Sequence, residues 1–373
     1  AIFGADVPVT EEQITVWCLL GKKAGDNTQV LALAEELGWT YEVKHVSARP
    51  WELLPHLCLG VTLAGIDRGA SSPLEAPWPD LVITAGRRNE PVARWIKRQS
   101  GGRTRLVHLG RPWANFPEWD LIVTTPQYFL PRLSNVRHNT LPLHRLSPDQ
   151  LEPEAAALRD SLADLPRPWI AVLLGGDSGK FVFTPGKAAR LGALCSRMAR
   201  ESGGSLLVTD SPRTPTGPGD ALAQQLRAPH SYHRWGSPEP NPYRGLLALA
   251  DAFVVTGESM SMLGEAAAMG RPLFIFDLGD RDGRWWARPH DWGYKPLSHR
   301  VAMRWGPPRM RRDIGRIQDA LVDSGRADWL SERTVTAAAE KAAATPGSER
   351  VPGSTETELA QSAEAVRQLV TPR

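Results

Sequence analysis

Short apolar runs rich in β-branched residues alternate along this chain with amphipathic, helix-forming stretches. In the first half, strand-like runs at 14–20, 41–46, 81–84, 105–109 and 121–124 are interleaved with helical runs at 28–37 and 91–98. A second series follows, with strands at 169–174, 205–209, 253–256 and 273–276 and helices at 187–201, 221–226, 243–250 and 263–269. Apolar runs without polar alternation suit strands buried on both faces, and alternation with helices predicts parallel sheets covered by helices. Between the two series a charged helix at 148–165, followed by Pro166 and Pro168, reads as a connection. The expected organisation is an N-terminal domain 1–147, a connection 148–168, a C-terminal domain 169–325 and a helical tail 326–373. Within the tail, 344–355 carries Gly, Ser and Pro, and the last amphipathic helix spans 356–370. Ligands of doubly wound sheets collect beyond the carboxyl ends of the strands, so the expected site faces a cleft between two such domains.

With 42% hydrophobic and 23% charged residues over 373 positions, the composition is that of a globular protein and excludes a disordered or fibrous one. A net charge of +3 gives no reason to expect nucleic acid as the partner. Cys18, Cys58 and Cys195 are far apart and suggest neither a disulfide framework nor a zinc site, and the nine histidines include no H-E-x-x-H. A cytoplasmic location is expected. No run approaches the ~20 apolar residues that cross a bilayer. Two stretches suggest a membrane surface: 51–66, rich in Trp and Leu, and 281–312, which mixes Trp285, Trp286, Trp292 and Trp305 with Arg284, Arg288, Lys295, Arg304, Arg309, Arg311 and Arg312. The competing reading of each is a core helix and a solvated basic loop.

The densest chemistry lies at 251–279, DAFVVTGESMSMLGEAAAMGRPLFIFDLG. A strand ends at Gly257, a polar turn with Glu258, Ser259, Met260 and Ser261 opens an Ala-rich helix, and Gly270 and Pro272 stop it before the next strand. A helix N-terminus favours an anion, so this turn can hold a diphosphate while Glu265, one turn in, reaches a ribose diol. A simple N-cap by Ser259 or Ser261 is the plainer alternative. The loop after the strand at 169–174 reads Gly175-Gly176-Asp177-Ser178-Gly179-Lys180; it fails the spacing of a P-loop but leaves backbone N–H groups open to phosphate or sugar oxygens. Arg213, just past the strand at 205–209, is a candidate phosphate clamp. In the first half, the loop with Gly25, Asp26 and Asn27 lacks the G-x-G-x-x-G pattern of dinucleotide sites. Asp26 has two readings, as an N-cap or as a general base. Arg87, Arg88 and Asn89 are candidate acceptor contacts by position.

The succession GDNTQVLALAEELG, ITAGRRNEPVARWIK and NPYRGLLALADAFVVTGESMSMLGEAAAMGRPLFIF resembles the Elongated Mitochondria (mitochondrial fission) family, whose bacterial members are classed with glycosyltransferases. That family in turn looks like GT-B glycosyltransferases. Lipid-A-disaccharide synthases have a Ser-Gly-Asp loop that Ala24-Gly25-Asp26 echoes, with Ala24 in place of the serine. The resemblance implies an α/β, GT-B-like fold of two Rossmann-like domains. It also implies metal-independent transfer of a sugar from a nucleotide-diphosphate donor to an acceptor hydroxyl of a lipid or glycan, with no cofactor beyond the nucleotide sugar as co-substrate. Asp26 would then be the base; Gly175, Gly176, Ser178, Arg213, Gly257, Glu258, Ser259, Met260, Ser261 and Glu265 would face the donor, and Gly25, Asn27, Arg87, Arg88 and Asn89 the acceptor. Peripheral contact with the inner membrane is the expectation from the stretches 51–66 and 281–312. A non-catalytic scaffold recruiting a partner at a membrane and a nucleotide-sugar epimerase are the alternatives.

Overall fold

Strands such as VWCLL at 16–20, WIAVL at 169–173 and LFIF at 273–276 are apolar at every position and buried throughout, as the inner strands of a parallel sheet covered on both faces require. The computed structural model describes residues 14–146, 148–178, 181–279, 294–346, 348 and 354–370, excepting the side chains of 294–296, 299–300 and 354–356. The chain divides into two compact units. The first contains β1 (Val16–Leu20), α1 (Ala24–Leu37), β2 (Tyr41–His45), α2 (Leu53–Leu59), β3 (Leu81–Ala85), α3 (Glu90–Gln99), β4 (Arg105–Leu109), β5 (Leu121–Thr124) and β6 (Val136–His138). The second contains α4 (Glu152–Arg159), β7 (Trp169–Leu173), α5 (Pro185–Ser202), β8 (Ser205–Thr209), α6 (Thr216–Ala223), β9 (His230–His233), α7 (Tyr243–Leu249), β10 (Ala252–Thr256), α8 (Met260–Ala268), β11 (Leu273–Phe276), α9 (Tyr294–Trp305), α10 (Gly315–Asp323), β12 (Asp328–Trp329) and α11 (Val335–Ala343). The last helix, α12 (Ser354–Val370), belongs from Glu358 onward to the first unit.

Each unit carries one six-stranded sheet, in the order β2-β1-β3-β4-β5-β6 and β12-β11-β10-β7-β8-β9, with every pairing parallel. Alternate residues of β7 feed two cores. Ile170 and Val172, with Leu174 beyond the strand, pack with Leu191 and Cys195 of α5 and Ala338 of α11, while Trp169, Ala171 and Leu173 pack with Leu247 of α7, Leu263 of α8 and Leu321 of α10. The edge strands β2 and β9 are polar and partly exposed, which blunts them against pairing with other chains. Strand order reverses beside β1 in the first sheet and beside β7 in the second. These switch points, between β1 and β3 and between β7 and β10, are where such sheets open a crevice for ligands.

The expected tail at 326–373 divides. Asp328 and Trp329 join the second sheet beside β11, whereas α12 docks on the first unit, with Arg137 donating to Gln361 at 2.5 Å and Arg367 to the Glu36 carbonyl at 2.7 Å. The helix expected at 148–165 is α-helical over Glu152–Arg159, with tighter 3-10 turns at either end. Within 51–66, the helix α2 stops at Gly60, whose φ of 66° suits glycine. The stretch is not a core helix: Trp51 is 51% and Leu54 66% exposed, with Leu57 and Leu59 also in the open. Of 281–312, residues 281–293 lie outside the described residues. The remainder forms α9 and a 3-10 turn at Pro308–Met310, with Val301, Trp305 and Met310 exposed. Among the described residues no helix is long and apolar enough to cross a membrane.

Glu90 opens α3 and ties down the loop after β4, accepting the Trp113 and Ala114 N–H groups at 2.8 and 2.9 Å. Burial pushes its carboxyl up to about 7, against the pull of those two N–H groups and of Arg94 and Arg87. Between about 4.5 and 7 the folded chain therefore keeps a proton that the unfolded chain releases, and this residue's contribution to stability falls as pH rises through that window. Glu90→Gln, which titrates nothing, should gain on the wild type by about 1 kcal/mol or more between pH 5 and 8 in urea unfolding. A difference independent of pH would contradict the assignment.

Candidate functional site

At the switch point of the second sheet, the carboxyl ends of β7 and β10 lie side by side, with Leu173 in register with Val255. The chain continues from β7 into Gly175-Gly176 and from β10 into Gly257, Glu258 and Ser259, and the two turns are bonded to each other. Gly175 N–H donates to Thr256 Oγ1 at 2.8 Å and Gly176 N–H to Glu258 Oε1 at 2.6 Å. A third strand end joins them: Ser211 Oγ after β8 donates to the Gly175 carbonyl at 3.0 Å, as does the Thr214 hydroxyl. Both glycines are required by close approach. A Cβ at Gly175 would lie 1.8 Å from Glu258 Oε1, and one at Gly176 would lie 1.9 Å from the Arg213 carbonyl oxygen. The N–H groups expected to meet a phosphate are thus committed, one to the Thr256 hydroxyl and the other to the buried Glu258 carboxyl, since buried backbone donors are paired wherever an acceptor stands this close. Ser178, also expected on the donor, exchanges two backbone hydrogen bonds with Phe181; Gly179 and Lys180 lie outside the described residues.

The anion-seeking element that remains is the tip of α8. Ser259 holds the N-cap position with extended backbone angles, but its side chain caps nothing. Its hydroxyl instead accepts from Arg213 Nη2 at 3.2 Å, so capping alone does not account for it. Ser261, one residue into the helix, is exposed, whereas Met260 packs against the apolar core. Gly257 serves packing: Gln318 of α10 donates to its carbonyl at 2.6 Å and leaves no room for a Cβ. Glu258 is shielded from solvent, with Arg213 3.7 Å from its Oε1; among the described residues Oε2 has no hydrogen-bond partner. Burial raises this carboxyl to about 7, opposed by Gly176 N–H and Arg213.

Glu265 is partly accessible one turn into α8, and its carboxylate accepts from the Tyr243 hydroxyl. Burial again raises it, offset by Tyr243 and by Arg244. Tyr243 starts α7, where Asn241 accepts its N–H at 3.0 Å, and burial with Glu265 alongside holds its phenol well above the usual range. Neither Tyr243 nor Gln318 was foreseen as a partner of this turn, since the pairings span 22 and 61 residues and leave no local pattern. A larger cavity of about 680 Å³, lined by Leu207, Tyr232, Arg234, Pro242 and Leu246, runs along α4, α7 and β9 and includes none of the expected site residues.

In the first unit, α1 begins at Ala24 rather than at 28, with Lys23 at the N-cap. Asp26 is therefore not the cap; it lies in the first turn, where its charge suits the helix dipole, and its Oδ2 sits 2.8 Å from where a Cβ on Gly86 would be. That places it between the ends of β1 and β3, at the first sheet's own switch point. Asn27 clamps the loop, accepting Gly21 N–H at 3.0 Å and donating to its carbonyl at 2.8 Å, while Gly25 is exposed. Arg87 forks onto Glu52 at 2.6 and 2.7 Å and lies over the Trp113 ring, so it is a structural tie, not an open contact. Burial works to raise Glu52, but the hydrogen bonds and charges of Arg87 and Arg88 outweigh it and hold the carboxyl below its usual range. Arg88 is half exposed and donates to Glu52 through Nε at 3.2 Å. Asn89 is buried and donates to the Leu19 and Ala85 carbonyls. Among the described residues no three acidic, His or Cys side chains gather as a metal site would require.

A family model described as Mitochondrial fission ELM1 matches residues 24–345. The chain belongs to that family. The mitochondrial fission protein ELM1 of Arabidopsis thaliana is 27% identical over 246 residues, which cover 58% of this chain and 56% of that protein, so the chain spans little more than half of this relative's length. An uncharacterized protein of Rickettsia prowazekii is 23% identical over 296 residues, covering 70% of this chain and 83% of its own. Among solved structures, UDP-GlcNAc 2-epimerase from Methanocaldococcus jannaschii has a TM-score of 0.53 at 11% identity, over 95% of this chain and 99% of that one. That likeness shows the fold. This ELM1-family chain has the α/β, GT-B-like architecture of two doubly wound parallel sheets that its sequence led us to expect.

Gly175→Ala should cost this chain about 1–3 kcal/mol, the usual penalty for overpacking, read as a lowered urea midpoint with unchanged slope. A loss below ~0.5 kcal/mol, the range of ordinary surface changes, would show that Glu258 does not hold this loop.

Proposed function

We propose that this ELM1-family chain is a glycosyltransferase that moves a sugar from a nucleotide-diphosphate donor, bound by the second unit, to an acceptor hydroxyl of a lipid or glycan. The observation that carries the reading is the uncapped tip of α8 at the second sheet's switch point, with Arg213 anchored on Ser259 and Glu265 one turn inside. Departure of a nucleoside diphosphate leaves negative charge on the phosphate oxygens. Ser259 N–H is taken by the Thr256 carbonyl at 3.3 Å, which leaves the Met260 and Ser261 N–H groups and the Arg213 guanidinium as fixed donors for it, so they need little reorganisation as that charge develops. Glu265 would exchange the Tyr243 hydroxyl, or share it, for a ribose hydroxyl. In the first unit Asp26 would take the acceptor proton. No cofactor or metal enters this scheme.

The exposed Trp51, Leu54, Leu57 and Leu59 on and beside α2 support peripheral contact with lipid, with Arg49 over the Trp51 ring at 5.2 Å to meet anionic headgroups. The full chain should float with vesicles containing anionic lipid, and Leu54→Glu/Leu57→Glu should stay behind. Equal flotation of the variant would remove α2 from the membrane.

Incubation with labelled nucleotide sugars tests the main reading: transfer or slow donor hydrolysis supports it, interconversion of sugars would make the chain an epimerase, and no binding would leave a non-catalytic scaffold. In calorimetry Glu265→Ala should weaken donor binding by about ten-fold or more, the worth of one charge-assisted hydrogen bond. Asp26→Asn should abolish turnover with donor binding intact. Unchanged affinity in the first, or wild-type turnover in the second, would strip that residue of its role.

A further inference from the structure

Where β1 and β2 end, beside the turn that opens α3, the first unit holds a cavity of about 240 Å³ lined by Gly21, Lys22, His45, Ser47, Arg88 and Asn89, among others. Its charge is one-sided. Glu52 is the carboxylate bonded to Arg88, and Arg87 already neutralises it through two bonds, so the Arg88 charge is in excess. Lys22 and His45 add exposed nitrogens, and among the described residues no partner takes the two terminal nitrogens of Arg88. The floor is polar as well. Asn89 commits its Nδ2 to the Leu19 and Ala85 carbonyls, which fixes the orientation of the amide, and its buried Oδ1 has no hydrogen-bond partner among the described residues. An orphaned buried acceptor costs about 1–3 kcal/mol unless something donates to it. Gly21 keeps this corner open, because a Cβ there would lie 3.3 Å from that oxygen. Asp26 does not line this cavity; packed on Gly86, it stands between the neighbouring ends of β1 and β3.

We propose that this cavity binds a phosphorylated sugar, with Lys22 and the Arg88 fork on the phosphoryl oxygens, His45 at the rim and Asn89 Oδ1 accepting from a sugar hydroxyl. A guanidinium presents paired N–H groups to two oxygens at once, and an ammonium adds a point charge, a combination that suits a tetrahedral oxyanion. The volume suits a sugar phosphate rather than a whole nucleotide sugar, since pockets for drug-sized ligands begin at roughly 300 Å³. The inference rests on the transferase reading in that it names the acceptor of that reaction as a phosphate monoester, yet its test needs no donor.

The full chain is titrated by calorimetry with glucose 1-phosphate, glucose and inorganic phosphate, without nucleotide. Glucose 1-phosphate should bind, glucose should bind at least ten-fold more weakly, and inorganic phosphate should fall between them if both the charge and the hydroxyl contact count. Lys22→Ala and Arg88→Ala should each weaken glucose 1-phosphate about ten-fold, the worth of one charge-assisted hydrogen bond. Lys22 is exposed, so its loss leaves the fold intact; a separate urea midpoint reports on Arg88→Ala. Equal binding of glucose and glucose 1-phosphate, unchanged affinity in the Lys22 variant, or no binding of any of the three overturns the proposal. A chain that binds nucleotide sugars yet ignores glucose 1-phosphate loses this inference alone; one that binds glucose 1-phosphate and no nucleotide loses the transferase reading instead.

Discussion

A buried carboxylate pressed against two glycines organises the second unit. Glu258 sits at the end of β10 with no solvent around it, and taking a carboxyl out of water is costly unless hydrogen bonds or a counter-charge offset it. Gly176 N–H and the neighbouring Arg213 offset part of that cost, and a proton held up to about neutral pH offsets more. Three strand ends are thereby fastened together, since the Gly175 carbonyl is at the same time held by Ser211 and Thr214. The consequence for chemistry is a division of labour. The glycine loop is structural, bound internally, while the tip of α8 and Arg213 keep the donors an anion would use.

The first unit solves a similar problem with the opposite sign. Glu52 is flanked by Arg87 and Arg88, so the turn after β3 carries more positive than negative charge; Asn27 clamps the loop after β1 through Gly21, and Asn89 joins the ends of β1 and β3 through the Leu19 and Ala85 carbonyls. Asp26 and Glu258 each stand at a switch point, one after β1 and the other after β10, but in different settings. Asp26 is partly open at a helix start that favours its charge, whereas Glu258 is sealed. A carboxylate that must take a proton from a substrate needs access, and of the two Asp26 has it.

Much of the architecture was legible because buried parallel strands leave an unbroken apolar signature: β1, β3, β7, β8 and β10 stand where the runs predicted them. Strands β6, β9 and β12 escaped notice, being short and at sheet edges, where polar residues such as those of His230–His233 are tolerated. Ala24 and Gly25 read as loop yet open α1, and α11 is a run of alanines inside the expected tail. At the site, the turn from Gly257 to Ser261 was visible in its residue types, but which group each would meet was not. The Gly175–Glu258 and Tyr243–Glu265 approaches depend on strand order, which brings distant segments together without any local pattern.

A crystal structure of the full chain soaked with a nucleoside diphosphate would show whether the tip of α8 holds the diphosphate. Phosphate oxygens should lie on the Met260 and Ser261 N–H groups within hydrogen-bond reach of Arg213, with the ribose toward Glu265. A nucleotide lodged instead in the cavity along α4, α7 and β9, leaving the tip of α8 untouched, would contradict that placement.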